Sequence, residues 1–229
     1  TDVREGVVGA KILIVEDETI VAKDLGRILE GLGHTVVAMA SSGEEAVTLA
    51  AQHRPDLILM DIRLGGTVDG VDAARRILQT LPVPIVYTTA YADQPTFSRA
   101  IATNPFGYLV KPVDERDLRT AVEMALYRHQ MEGELRRRLA LENLVATVSA
   151  DLLSLRAAEL DAGIERSLER IGRFAEVDRA YLVQIRDDRN MDNTHEWCVE
   201  GVPAQIQDLQ RISCEAQPWW TGQMRRLGN

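Results

Sequence analysis

Four short apolar runs in this 229-residue chain end on side chains able to do chemistry together. Lys11-Ile-Leu-Ile-Val15 is followed by Glu16, Asp17 and Glu18, and Asp56-Leu-Ile-Leu-Met60 by Asp61. Pro84–Thr88 ends in the pair Thr88-Thr89, and Gly107–Val110 leads into Lys111-Pro112. If the runs are neighbouring strands, carboxylates, a hydroxyl and an ammonium meet on one rim. Glu16, Asp17 and Asp61 would repel one another there as unpaired anions. A hard divalent cation relieves that repulsion. Oxygen ligands of this type suit Mg²⁺, which keeps open positions for water and phosphate oxygens. A carboxylate can also act as a nucleophile and form an aspartyl-phosphate. Phosphoryl transfer then needs little beyond positioning and charge neutralisation. Lys111 would supply a cation opposite the metal, and a threonine hydroxyl a donor to the new phosphoryl group.

The intervening residues supply the elements that must hold this rim. Thr19–Leu32 has helical spacing, with Ile20, Val21, Leu25, Ile28, Leu29 and Leu32 on one broad face, and Gly33 stops it. Thr35–Ala40 reads as a strand. Ser42 and Glu45 form a capping-box pattern at the start of a helix over Gly43–Gln52. Helices are also expected over Val71–Leu81 and Gln94–Thr103, and from Glu115 onward with Asp114 as cap. Five apolar strands alternating with five helices imply a parallel sheet covered on both faces, a doubly wound α/β domain. In such a sheet, ligands bind outside the carboxyl ends of the strands.

The helix that starts at Glu115 has no Pro before about Leu155, and Gly133 is its only Gly. Leu141, Leu144, Val148, Leu152 and Leu155 recur at steps of three and four, so it reads as a long connector with an apolar stripe. Arg136, Arg137 and Arg138 precede that stripe. They read as a solvated face, with a nucleic-acid or lipid patch as the alternative. Beyond it, Leu160–Ala175 is an amphipathic helix with Ile164, Leu168, Ile171, Phe174 and Ala175 on one face. Arg179–Arg186 and Glu196–Val199 read as strands separated by a polar turn, Asp187–Asn193. Pro203–Leu209 and Pro218–Leu227 read as short helices.

The stretches KILIVEDE (11–18), LILMDIRL (57–64), IVYTTAY (85–91) and YLVKP (108–112) resemble the receiver domain of two-component response regulators. The resemblance covers roughly residues 10–130 and implies a five-stranded sheet of order 2-1-3-4-5. By that resemblance Asp61 is the phospho-accepting residue, and Asp17 a direct Mg²⁺ ligand alongside it. Glu16, at a position more often Asp, would reach the metal through water. Arg63 would lend its backbone carbonyl. Thr89 matches the switch hydroxyl, with Thr88 as its rival, since adjacent strand residues face opposite ways. Lys111 matches the family lysine, Lys111-Pro112 a cis peptide, and Tyr108 the aromatic switch position, unless it is simply packed. The implied partner is a histidine kinase or phosphotransfer protein. Homodimers through the connector helix or the C-terminal receiver face are expected.

Glu142–Arg226 resembles the opening part of a GAF domain, through RAYLVQIRDD, THEWCVEGV and Pro218-Trp219-Trp220 after IQDLQRIS. Trp197, Trp219 and Trp220 either line a ligand pocket or belong to a core or dimer face. Neither Cys198 nor Cys214 is followed by His, so a covalent bilin is not expected, and too few strands remain before Asn229 for a complete GAF domain. The expected organisation is an N-terminal tail (1–10), a receiver (11–128), a helical connector (129–155) and a partial GAF-like α+β domain (156–229).

Other classes fit less well. A haloacid-dehalogenase-like phosphatase would want an acid/base Asp two places after the nucleophile, where this chain has Arg63. No G-x-G-x-x-G or P-loop is present, and no kinase box surrounds His34, His53, His129 or His195. A formal net charge of −9 argues against broad DNA binding. The two cysteines lack zinc spacing and are expected as free thiols in a cytoplasmic protein. No secretory leader or membrane-spanning run is evident. A regulatory phosphoacceptor, not an enzyme, is the expected role. A receiver coupled to a GAF-like module and a further effector leads. A stand-alone phosphorelay adaptor and a transcription regulator follow.

Overall fold

The computed structural model describes residues 9–90, 94–186 and 190–213. The chain divides into two compact units, Thr1–Leu135 and Arg136–Asn229. In the first, β1 (Lys11–Val15), β2 (Thr35–Ala40), β3 (Leu57–Asp61), β4 (Ile85–Thr89) and β5 (Gly107–Val110) alternate with five helices. These are α1 (Thr19–Gly31), α2 (Gly43–His53), α3 (Gly70–Leu78), α4 (Gln94–Ile101) and α5 (Glu115–Ser154). All four strand pairings are parallel, in the order β2-β1-β3-β4-β5.

Alternation along each strand splits the core into two layers. Leu13, Val15, Ile58, Met60, Ile85 and Tyr87 pack with Ala46, Ala73, Ala74, Ile77 and Ala100 of α2, α3 and α4. Ile12, Ile14, Leu57, Leu59, Val86 and Leu109 pack with Leu25 and Leu29 of α1 and with Leu118, Val122 and Leu126 of α5. Residues of both faces are buried, which is why these strands are continuous apolar runs. Complete burial of one such side chain contributes about 1.5–3 kcal/mol before entropy is charged. β1 lies between β2 and β3, with α1 on one face and α2 on the other, so the winding reverses at the carboxyl ends of β1 and β3. That crevice is where this architecture binds ligands.

Local chemistry sets the helix ends. Asp69 Oδ1 accepts the Asp72 N–H (2.9 Å) at the start of α3, and Asp114 Oδ1 accepts the Asp117 N–H (2.8 Å) at the start of α5. The capping box expected at Ser42 forms in one direction only. Ser42 Oγ accepts the Glu45 N–H (3.3 Å), but Glu45 reaches past Ser42 to the Ser41 N–H (2.7 Å) and hydroxyl. α3 ends at Leu78 rather than Leu81: the chain leaves the helix through a turn at Gln79 and Thr80, and Pro82 disfavours the helical conformation at Leu81 before it.

The second unit contains the rest of α5, a short 3-10 turn (Ala157–Glu159), α6 (Leu160–Ala175) and an antiparallel sheet. The sheet comprises β6 (Arg179–Arg186), β7 (Asn190–Cys198) and β8 (Ile212–Ser213), in the order β6-β7-β8. Three sequence expectations change here. β7 starts at Asn190, so most of the expected polar turn is strand, with Asn190, Met191 and Asp192 standing opposite Arg186, Ile185 and Gln184 in the ladder. Residues 203–209 form turns, not a helix; Arg179 Nη2 donates to the Pro203 carbonyl (2.7 Å) and also bonds Gln205 Oε1 through Nη1. α6 buries Gly163, Ser167, Leu168 and Gly172 while Ile171 and Ala175 are exposed. Small residues allow close approach. A Cβ at Gly172 would lie 2.2 Å from the Trp197 ring, and one at Gly163 2.0 Å from Leu155. The expected helix at 218–227, with Trp219 and Trp220, lies outside the described residues.

Candidate functional site

The polar side chains that follow β1, β3 and β5 meet at the reversal crevice. Glu16, Asp17 and Asp61 place carboxylate oxygens within 4.8 Å of one another, and no other such cluster occurs among the described residues. Glu16 and Asp61 are buried, whereas Asp17 is exposed. Lys111 Nζ lies 2.5 Å from Asp61 Oδ2, and 2.8 Å and 2.6 Å from the two oxygens of Glu16. The other Asp61 oxygen, Oδ1, accepts the Arg63 N–H at 2.9 Å. Asp17 Oδ2 accepts the Gly65 N–H at 3.1 Å. The segment after β3 is therefore hooked by its backbone onto two of the three carboxylates. The Lys111-Pro112 peptide is cis, and the Lys111 N–H donates to the Thr89 carbonyl at 2.8 Å.

The charges tune one another. Burial pushes the Glu16 carboxyl above its ordinary range, the Lys111 ammonium pulls it back down, and the Asp61 charge adds to the rise. Burial also opposes the charge on Lys111, but the Asp61 and Glu16 carboxylates outweigh it and raise the ammonium's pKa. Lys111 is thus held as a permanent cation with a side chain only 16% exposed, where screening by water is weak.

Three carboxylates against one ammonium leave a formal deficit of two positive charges. Two oxygens on one Mg²⁺ can lie no more than about 4.2 Å apart. Oxygens gathered within 4.8 Å of one another are close enough for such an ion to be held by them directly or through its bound water. In charge, donor type and spacing, the residues fit that ion.

Thr88 and Thr89 are both buried. Strand alternation puts Thr89 on the face of β4 that carries Tyr87, and Thr88 on the face that carries Val86. Tyr108 packs into the Tyr87 layer, with ring centroids 5.8 Å apart. Burial raises the pKa of the Tyr108 hydroxyl, and that of Tyr87 to about 12. The Tyr87 hydroxyl hydrogen-bonds Thr103 Oγ1 just after α4 (3.0 Å).

Sequence reasoning missed the glycines that shape this site. A Cβ on Gly70 would sit 1.8 Å from the Asp61 carbonyl oxygen, so the first residue of α3 rests directly on the Asp61 backbone. The signal was available as Asp69-Gly70 immediately before a helix, a capping aspartate followed by a residue without a side chain.

The family description "Response regulator receiver domain" matches residues 12–123. A "transcriptional regulatory protein", PdtaR of Mycobacterium tuberculosis, is 37% identical over 160 residues, which span 70% of this chain and 75% of PdtaR. The chain belongs to the response regulator receiver family. The "phyllosphere-induced regulator" PhyR of Methylorubrum extorquens is 37% identical over 121 residues, 52% of this chain and 45% of its own length. Among solved structures, the signal receiver domain of a modulated diguanylate cyclase from Desulfovibrio desulfuricans G20 is 43% identical with a TM-score of 0.53. That match covers 54% of this chain and 98% of that domain. The N-terminal domain of a response regulator/sensory box/GGDEF three-domain protein from Carboxydothermus hydrogenoformans is 41% identical, with a TM-score of 0.50, and covers 53% of this chain and 98% of its own. The first unit is therefore the receiver of a two-component response regulator, with the five-stranded 2-1-3-4-5 sheet of that fold. No helix among the described residues is long and apolar enough to cross a membrane.

Proposed function

We propose that this receiver takes a phosphoryl group onto Asp61 from a phosphohistidine of a histidine kinase or phosphotransfer protein. The observation that carries the proposal is the double hold on Asp61, by the Arg63 N–H on one oxygen and by Lys111 on the other, beside two further carboxylates. An Asp61 oxygen attacks phosphorus in line as the P–N bond to imidazole breaks. The imidazole leaves with the bonding pair, and the phosphoryl oxygens stay anionic. Lys111 is placed to follow the charge from the carboxylate to the phosphoryl group. Mg²⁺, when bound, would neutralise charge on the transferring oxygens, held by Asp17, Asp61 and the Arg63 carbonyl, with Glu16 through water. Hydrolysis by water returns Asp61 and inorganic phosphate, so the protein is a regulated acceptor and not a turnover enzyme.

Thr89 is favoured over Thr88 as the hydroxyl that meets the phosphoryl group, because its strand face is shared with Tyr87 and Tyr108. Those residues then relay the change toward α4 and β5. The output side is read as a connector, a GAF-like sensory unit over 156–229 and a further effector. The Carboxydothermus protein, described as a response regulator with a sensory box, supports a receiver joined to a sensing module. A regulator without such a module is the second reading. It is favoured by the likeness to PdtaR, which runs over 160 residues where the receiver match spans 12–123.

The test is transfer of label from a phosphohistidine donor to the full chain in Mg²⁺. The proposal predicts label that hydroxylamine releases, as from an acyl phosphate, and none on Asp61→Asn. Hydroxylamine-stable label, or equal label on Asp61→Asn, would refute it.

A further inference from the structure

α4 is fastened to the phosphoacceptor segment by an ion-pair network that the chemistry at Asp61 does not use. Arg99 of α4 donates from Nη1 to Asp69 Oδ2 (2.8 Å) and from Nη2 to Asp69 Oδ1 (3.3 Å). Nη2 also lies 3.0 Å from Asp72 Oδ1, which Arg75 engages at 3.0 Å. The two-pronged Arg–carboxylate contact fixes direction as well as distance. Burial works against the Asp69 charge, yet Arg99 and the Asp72 and Val71 amides outweigh it and hold the carboxyl below its ordinary range.

Asp69 is not an ordinary surface anion. It caps α3, and the next residue, Gly70, rests on the Asp61 carbonyl so closely that a Cβ would clash at 1.8 Å. The Gly70 N–H donates to the Ile62 carbonyl at 3.2 Å. A backbone shift at Asp61 must therefore move the head of α3, and Asp69 with it. On the far side of the ion pair, Arg99 adjoins Ala100, which is fully buried in the layer that holds Tyr87 and Tyr108. Thr103, one turn on, holds the Tyr87 hydroxyl.

We infer that Asp69 and Arg99 are a positioning pair that carries the phosphorylation-induced shift of the Asp61 segment across to α4. This rests on the reading of Asp61 as phosphoacceptor. The pair forms a second path to the Tyr87–Tyr108 layer, on the α3 side, beside the one that runs through Thr89. Neither residue touches the phosphoryl group. Their loss leaves the acceptance chemistry in place and weakens its transmission.

The experiment follows the backbone amide signals of Ala100 and Thr103 in the full chain, with Mg²⁺ alone and with Mg²⁺ plus acetyl phosphate. Phosphoryl occupancy is read by intact mass on the same samples. Wild type is expected to show occupancy and displaced Ala100 and Thr103 signals. In Arg99→Gln the occupancy is expected to stay, while the displacement falls by about twofold or more. Asp69→Asn keeps a capping oxygen for the Asp72 N–H and loses the charge. It should show the same fall, and the double variant no further fall, as expected of one shared interaction. Arg99→Lys keeps the charge but not the fork, so it should recover part of the response. A wild-type displacement in Arg99→Gln at equal occupancy overturns the inference alone. No adduct on wild type overturns the Asp61 reading and the inference with it.

Discussion

Lys111 Nζ sits 2.5 Å from Asp61 Oδ2, at the end of a strand that is not its neighbour in the sheet. β4 lies between them, and the Lys111 N–H is tied to the Thr89 carbonyl of that strand. The ammonium therefore crosses above β4 to reach the carboxylate, with a Glu16 oxygen, just past the carboxyl end of β1, within 2.8 Å. One cation thus faces two buried carboxylates, which leaves negative charge that a bound Mg²⁺ would offset under the proposed function.

Mg²⁺ should stabilise this receiver, since under the proposed function the ion would bind the folded Glu16–Asp17–Asp61 cluster, which has no preformed counterpart in the unfolded chain. At about 100 times the dissociation constant the gain is about 2.7 kcal/mol. Thermal unfolding with Mg²⁺ and with chelator measures it. Asp17→Asn should lose most of the gain. An equal shift in Asp17→Asn would place the ion elsewhere.

Gly70→Ala should disturb the site from beneath. The added methyl meets the Asp61 carbonyl at 1.8 Å, so the head of α3 or the Asp61 backbone must move. Overpacking of this kind costs about 1–3 kcal/mol. Chemical denaturation should show that loss, and acetyl phosphate labelling should fall with it. The comparison substitution Gly133→Ala, where nothing lies within 4 Å, should leave labelling intact and cost no stability.

His34 makes stability depend on pH. It is buried, its Nδ1 has no hydrogen-bond partner among the described residues, and burial holds its pKa below the ordinary value against the opposing pull of Glu123. Below about pH 6.5 the unfolded chain takes up a proton that the folded chain refuses. Stability attributable to this residue is therefore present above that pH and is lost as pH falls toward the folded pKa. The slope is at most about 1.4 kcal/mol per pH unit. His34→Gln should flatten the wild-type curve between pH 7 and about 5.5, as read by urea midpoints. Parallel curves for the two proteins would refute the assignment.

Within the second unit, Leu141 of the expected connector stripe and Val145, one turn on, lie exposed on α5 at 47% and 57% of their surface. If two copies pair along it, Leu141→Glu with Val145→Glu should convert dimer to monomer in sedimentation. Wild-type monomers, with and without acetyl phosphate and Mg²⁺, would contradict pairing.

How much of this was legible in the sequence depended on the physics of each part. β1, β3 and β4 are buried on both faces, so their apolar runs stand out. Each run is followed at once by its polar residue, so Glu16, Asp17, Asp61 and Lys111 could be placed on one rim before their distances were known. The Asp69–Arg99 pair was not legible, because two charges thirty residues apart carry no pattern until α3 and α4 are packed. α6 misled for a related reason. Its inner face is built on Gly163, Ser167 and Gly172, which hydrophobic periodicity ignores, while Trp197 occupies the space left by Gly172 and Leu155 that left by Gly163. β7 was cut short because Asn190, Asp192 and Asn193 read as turn residues, though the ladder with β6 pairs all three.

The central claim is that Asp61 is the acceptor, and intact mass after acetyl phosphate with Mg²⁺ tests it most directly. The account predicts a single phosphoryl adduct on wild type, absent with chelator and absent in Asp61→Asn. An adduct that persists in Asp61→Asn, or one that forms equally without Mg²⁺, would contradict it.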